Sequence, residues 1–180
     1  MEVLYEVYSL KSAEVDHFVQ RVGQQLRILT NLKHDNILEF LGWISPEDEG
    51  PLRVIAVSSK CEGGEIMTFL RALDLKDENR RQLVLGVSQG LAYLHSEDVV
   101  HGNLNPGKIF VDWNSGHPVA KIGGFDLCYL LSETPIHPKP EYRTSRIVRY
   151  TAPEVLTGHK AECDMGGDVW SFACISLEVV

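Results

Sequence analysis

The stretch Val99–Asn114, VVHGNLNPGKIFVDWN, decides how this sequence is read. A His opens it, a Leu-x-Pro turn follows at Leu104–Pro106, and the apolar run Ile109–Val111 closes it as a strand. Between His101 and Ile109 the polar side chains are Asn103, Asn105 and Lys108, two neutral amides and one cation. The outline is that of an active-site loop, but between His101 and Ile109 it holds no carboxylate. It is either a site with unusual residues or the shell of one.

Upstream, Leu83, Val87, Leu91 and Leu94 share one face of a helix expected over residues 78–97. Downstream, Trp113–Gly116 reads as a turn into a strand over 119–122. Residues 123–154 show little periodicity and carry Pro135, Pro138, Pro140 and Pro153. A loop of that length in a compact domain is usually functional. A strongly apolar helix is expected from Asp168 to Val180.

Toward the N-terminus, residues 1–11 alternate as a strand, and Phe18, Val22, Leu26, Leu29 and Leu32 recur at helical spacing over 13–33. His34-Asp35-Asn36 ends that helix. Strands are expected over 37–44 and 52–58, with a charged turn at 46–51 between them, and a short helix over 65–73. This order gives a small strand-rich part at 1–58, a connector at 59–64 and a mainly helical part at 65–180.

The bulk properties narrow the function classes. A net charge of -8 over 180 residues argues against nucleic acid or an anionic membrane as partner. The four cysteines, Cys61, Cys128, Cys163 and Cys174, form no C-x-x-C pair and read as reduced thiols of a cytoplasmic protein. The N-terminus has no signal-peptide core, and the apolar end segment is too short to span a membrane. His17, His95, His117, His137 and His159 are isolated and read as surface or core residues.

Several segments in order resemble the eukaryotic protein kinase family, with the flavour of its tyrosine-kinase-like branch. VVHGNLNPGKIFV resembles the catalytic loop, KIGGFDL the metal-binding segment and RYTAPEVL the end of the activation segment. GGDVWSFACISLEVV resembles the helix buried under the active site, and LKHDNILEFLG the end of helix C and the strand after it. The resemblance implies an α+β, two-lobed protein-kinase-like fold. It would be incomplete at both ends: a partial β lobe with helix C, then a helical lobe ending in helix F. Only ten residues precede Lys11, where the family's glycine-rich, phosphate-covering loop needs about 25.

Phosphoryl transfer depends on positioning, metal-held phosphates and charge neutralisation. By the resemblance, Lys11 stands at the phosphate-gripping position, Gln25 where a Glu pairs with that Lys, and Ser59 and Cys61 at the nucleotide-facing hinge. Gln25 supplies no full charge. Asn103 stands at the base position and cannot take up a proton, which removes about two to four orders of magnitude. Asn105 replaces the Lys that neutralises the transferred phosphate. Lys108 replaces a metal-binding Asn, and an ammonium repels Mg²⁺.

Gly124 replaces the metal-binding Asp. Asp126, about 6.6 Å along an extended chain, is too far to substitute, although an ion pair between Lys108 and Asp126 would stand in for the metal site. Gly102 replaces the Arg that receives an activating phosphate, and Ile147 replaces a substrate-site Thr or Ser. Arg146 and Arg149 are the remaining phosphate partners.

The family's structural positions are retained instead: His101, Leu104, Pro106, Phe125, Glu154, Asp168 and Trp170. His101 and Phe125 would stack with Leu29, and Asp168 would hold the backbone of the loop. Residues that would touch metal, phosphate or hydroxyl have changed, and those that shape the loop have not. The expectation is a catalytically inactive kinase-like scaffold or regulator that binds a protein partner, such as an active kinase or another signalling protein. No cofactor is expected, ATP would bind weakly at most, and Mg²⁺ would not bind. The alternatives are a weak, atypical ATP-binding Ser/Thr kinase, and a fragment without independent function. An apolar patch at Phe172, Ile175 and Leu177 is expected to be exposed.

Overall fold

The structure is a computed structural model that describes residues 3–10, 29–44, 52–73, 75–114, 116–125, 148–158 and 164–180. Strand β1 (Val3–Leu10) and strand β2 (Phe40–Ile44) flank the central strand β3 (Leu52–Ser59), giving a three-stranded sheet in the order β1-β3-β2. Both pairings are antiparallel. Val3 faces Ser59 and Leu10 faces Leu52, and the β2–β3 register shifts between Phe40 and Gly42.

A second antiparallel sheet is built from β4 (Gly64–Glu65), β5 (Ile109–Asn114) and β6 (His117–Ile122). Helix α1 (Ile66–Ala72) and helix α2 (Asp77–Ser96) lie between β4 and β5 in sequence. After β6 come a 3₁₀ turn (Val148–Tyr150), the short helix α3 (Pro153–Leu156) and helix α4 (Met165–Val179).

The core forms where the stripe of α2 meets both β5–β6 and α4. Leu83, Val87, Leu91 and Leu94 are all buried, and they join one cluster with Ile109, Val111, Ala120, Ile122, Ile175 and Val179. Each such aliphatic side chain contributes about 1.5–3 kcal/mol on full burial. The expected exposed patch on the last helix is therefore corrected at Ile175, which is 1% exposed and points into this core. Phe172 is half-buried, while Leu177 is 85% exposed.

The strand expected from Ile37 begins only at Phe40. Residues 36–38 bond elsewhere: Ile122 N donates to Asn36 O at 2.8 Å, Leu38 N donates to Ile122 O at 2.7 Å, and Ile37 bridges Ile122 in parallel. Asn36, 7% exposed, also donates Nδ2 to Ala120 O at 2.9 Å. This loop fits against α2 only because that helix carries glycines there. A Cβ on Gly90 would lie 2.6 Å from Asn36 O, and one on Gly86 2.7 Å from Asn36 Nδ2. Lys33 N donates to Tyr93 Oη at 3.0 Å, and the His34 and Tyr93 rings stack at 4.9 Å. The segment before the first sheet's edge strand is thus tied to β6, which leads into Gly123–Phe125.

Helix α4 starts at Met165, earlier than the apolar run suggests, because Asp164 caps it by accepting from Gly167 N at 3.0 Å. At its other end, Arg80 Nη1 donates to Val179 O at 2.9 Å. Glu178 holds the 3₁₀ turn onto α4. It accepts from Arg149 Nη1 at 2.7 Å and from Tyr150 Oη at 2.8 Å. The hydrogen bond from Arg149 holds the Glu178 carboxyl below its ordinary pKa, while burial, then Glu178, pushes Tyr150 up to about 12.

Three outcomes are expected. Gly90→Ala should lower stability by about 1–3 kcal/mol in urea unfolding although alanine favours helix, because the obstructing atom is backbone. Glu178→Gln should destabilise the protein at neutral pH. The difference should fade as pH falls through the carboxylate range, since a depressed carboxylate pKa contributes its full stability above the unfolded value and loses it as pH falls through the folded one. Wild-type stability should fall between about pH 10 and pH 12, as Tyr150 ionises in the unfolded chain first.

Candidate functional site

The loop opened by His101 is held from beneath by one carboxylate. Asp168, fully buried in the first turn of α4, accepts from His101 N (2.8 Å, Oδ2) and from Gly102 N (2.8 Å, Oδ1). His95 Nε2 lies 3.1 Å from the same Oδ2. His95 is therefore more than the isolated histidine its sequence context suggests. The only signal was its place in the last turn of α2, just before the loop, and it takes a contact across 73 residues to show the role. The His101 ring ties the loop both to itself and to the segment after β6. His101 Nδ1 accepts from Asn103 N at 3.3 Å, so its Nε2 carries the proton and donates to Gly123 O at 3.1 Å. The His101 and Phe125 rings meet at 5.2 Å, and Leu29 is buried in the core cluster against which Phe125 packs.

Asn105 is turned inward. Its Oδ1 accepts from Gly107 N at 3.0 Å, capping the 3₁₀ turn Pro106–Lys108, and its Nδ2 donates to Asn103 O at 2.8 Å. Both ends of the amide brace the loop. Asn103, half-buried, lies two residues before it in the same loop.

Lys108 and Gly124 meet directly. Lys108 N donates to Asn105 O at 2.9 Å, and Lys108 O accepts from Gly123 N at 2.8 Å, which places the two residues side by side. The Lys108 side chain lies across Gly124. A Cβ built on Gly124 would overlap Lys108 Cδ and fall 3.0 Å from Nζ. Gly124 has φ +62, a left-handed conformation that glycine adopts without penalty. An aspartate here would collide with the lysine and strain the backbone. Each residue occupies what the other vacates.

The family resemblance implies a divalent cation at this place, and the residues present do not fit one. Gly124 offers no ligand, and Lys108 places an ammonium there. At an effective dielectric of 20, a divalent ion about 4 Å from that ammonium would meet a repulsion of roughly 8 kcal/mol. Among the described residues no group of three or more His, Cys, Asp or Glu is arranged to hold a metal.

The connector backs onto β5. Gly63 N donates to Val111 O at 2.9 Å, and Gly64 N donates to Cys61 O at 3.2 Å. Cys61 packs with Leu38 and Phe110, and burial, reinforced by Asp112, pushes its thiol up to about 11. It is a protonated, unreactive thiol. Ser59 ends β3, with its N–H donating to Glu39 O at 2.9 Å. Glu154 is half-buried in α3. Lys11, Gln25, Asp126, Arg146 and Ile147 lie outside the described residues, and with them the expected Lys108–Asp126 pair. No described helix is long and apolar enough to cross a membrane.

Comparison with known proteins gives the family. Residues 5–180 match the family described as protein tyrosine and serine/threonine kinase. The chain is 31% identical over 169 residues to serine/threonine-protein kinase 12 of Arabidopsis thaliana, which covers 92% of this chain and 34% of that protein. It is 30% identical over 176 residues to serine/threonine-protein kinase PLK4 of Nematostella vectensis, covering 97% and 17%. With serine/threonine-protein kinase atg1 of Dictyostelium discoideum the identity is 26% over 162 residues, covering 89% and 23%. The chain thus spans about a third or less of the length of these relatives. A His-led loop braced from below by a buried aspartate, in a chain matched along nearly all its length, belongs to the protein tyrosine and serine/threonine kinase family.

Proposed function

We propose that this chain is a kinase-family domain that does not transfer phosphate and acts by binding another protein, as a scaffold or regulator in the cytoplasm. The observation that supports it best is the Lys108 side chain lying across Gly124, where the family would place a metal and its carboxylate. Asn103 at the base position, and Asn105 braced into the loop, agree with it. The motif flavour favours the tyrosine-kinase-like branch, and an active kinase or another signalling protein is the partner class that fits. A second reading, a weak Ser/Thr kinase with an unconventional metal arrangement, draws support from the kinase names of the relatives.

Radiolabelled phosphate transfer separates the two. The chain should transfer no more label than a blank. Transfer above the blank that is lost in Lys11→Ala would overturn the proposal.

The packing itself carries another expectation. Gly124→Asp alone should cost about 1–3 kcal/mol of stability from overpacking. In a Lys108→Asn background the same change should cost at least about 1 kcal/mol less, because the two residues share one space. Urea unfolding of the double-mutant cycle measures the coupling.

A further inference from the structure

We propose that the groove between His34–Asn36 and the last two turns of α2 receives an arginine side chain of a partner protein. This rests on the protein-binding reading above and gives that partner a chemistry.

The groove is open, about 550 Å³ in volume, and none of the loop residues 101–108 lines it. His34, Asp35 and Asn36 form one wall, and Gln89, Tyr93 and Ser96 of α2 form the other. The two walls are fixed to each other. Lys33 N donates to Tyr93 Oη at 3.0 Å, the His34 and Tyr93 rings stack at 4.9 Å, and Asn36 packs against Gly86 and Gly90. A site braced in this way loses little freedom when it is filled, which favours binding.

Its polar groups call for donors. Asn36, 7% exposed, donates Nδ2 to Ala120 O, and its Oδ1 receives no donor among the described residues. A buried amide oxygen without a donor is costly. With β6 and the α2 glycines packed on its other sides, the groove is where a donor can reach it. Ser96 Oγ gives its proton to Tyr93 O at 2.7 Å, so toward a ligand it can only accept. The exposed Asp35 carboxylate has no hydrogen bond or ion pair among the described residues. The neighbouring Lys33 is already held by Glu39 at 2.9 Å.

A cation suits this place for a further reason. One wall belongs to the C-terminal turns of a 20-residue helix, the end at which the helix dipole favours positive charge. Asp35, Asn36 Oδ1 and Ser96 Oγ are separate acceptors, which a guanidinium with donors spread over a planar fork serves better than the single nitrogen of lysine. The guanidinium plane also stacks on aromatic faces, and Tyr93 lines the groove. A net charge of -8 favours encounter with a basic surface.

The test is an NMR titration of the whole ¹⁵N-labelled chain with the peptide acetyl-Gly-Arg-Gly-amide. Counterparts carry lysine or citrulline, the neutral isostere of arginine, in the middle. The arginine peptide should give saturable shifts at the Asn36 side-chain amide and at Tyr93, with a Kd of roughly 1–10 mM at low salt. Raising NaCl to about 0.5 M should weaken it at least twofold. The lysine and citrulline peptides should bind at least about fivefold more weakly.

Asp35→Asn removes one charge at an exposed position. It should weaken the arginine peptide at least about fivefold with Tm nearly unchanged. Ala92→Arg, on the α2 wall of the groove, brings the chain's own guanidinium to Asp35 and should block the peptide without lowering Tm. No saturable shift with the arginine peptide, equal binding of the lysine or citrulline peptide, shifts confined to other surfaces, or full binding in Asp35→Asn would each overturn the proposal. Any of these results would leave the non-transferring reading, which label transfer tests, where it stands.

Discussion

The Asp168 carboxylate, buried at the start of α4, receives the N–H groups of His101 and Gly102 and faces His95. Three elements meet on it: the end of α2, the loop before β5, and α4. A carboxylate without water must be fully hydrogen-bonded to be tolerated, and backbone N–H groups are donors that no side-chain substitution removes. The loop's course therefore does not depend on its own polar side chains alone. Its shape is set by an anchor from below and by His101 bonding Gly123 above.

With the backbone held in this way, the loop's side chains serve its own packing. Asn105 serves the turn, with one end capping Gly107 and the other holding Asn103 O. Lys108 and Gly124 exchange volume: the lysine methylenes occupy the place of a Cβ, and the glycine backbone sits in a left-handed conformation that an aspartate would resist. A change at one position makes the other easier to accept, so the pair should be regarded as one replacement. Its electrostatic result is an ammonium beside a residue that carries no carboxylate.

Much of the fold was legible in the sequence because strong periodicity survives any tertiary context. The Leu83, Val87, Leu91 and Leu94 stripe and the β5 and β6 strands lie close to where pattern alone puts them. The misreadings have local causes. Ile37 and Leu38 look like strand but bond to Ile122 across the molecule, and Met165–Gly167 looks too glycine-rich for a helix start until Asp164 caps it. Ile175 was expected outside because covering that face called for further helices, but α2 and the core cluster cover it. Short 3₁₀ and α turns at Val148–Tyr150 and Pro153–Leu156 are too brief to carry a period at all.

The sequence by itself determined the family, through ordered motifs, and the residue types at the loop: amides at Asn103 and Asn105, a cation at Lys108, and no carboxylate at Gly124. Residue type fixes what a group can donate, accept or ionise, and no fold changes that. Tertiary structure alone decided where those groups point. Nothing in the sequence says that Asn105 is turned into its own loop, that His95 reaches Asp168, or that Lys108 lies across Gly124. The first is a local fold of the loop, and the other two are contacts between elements whose approach is set by core packing.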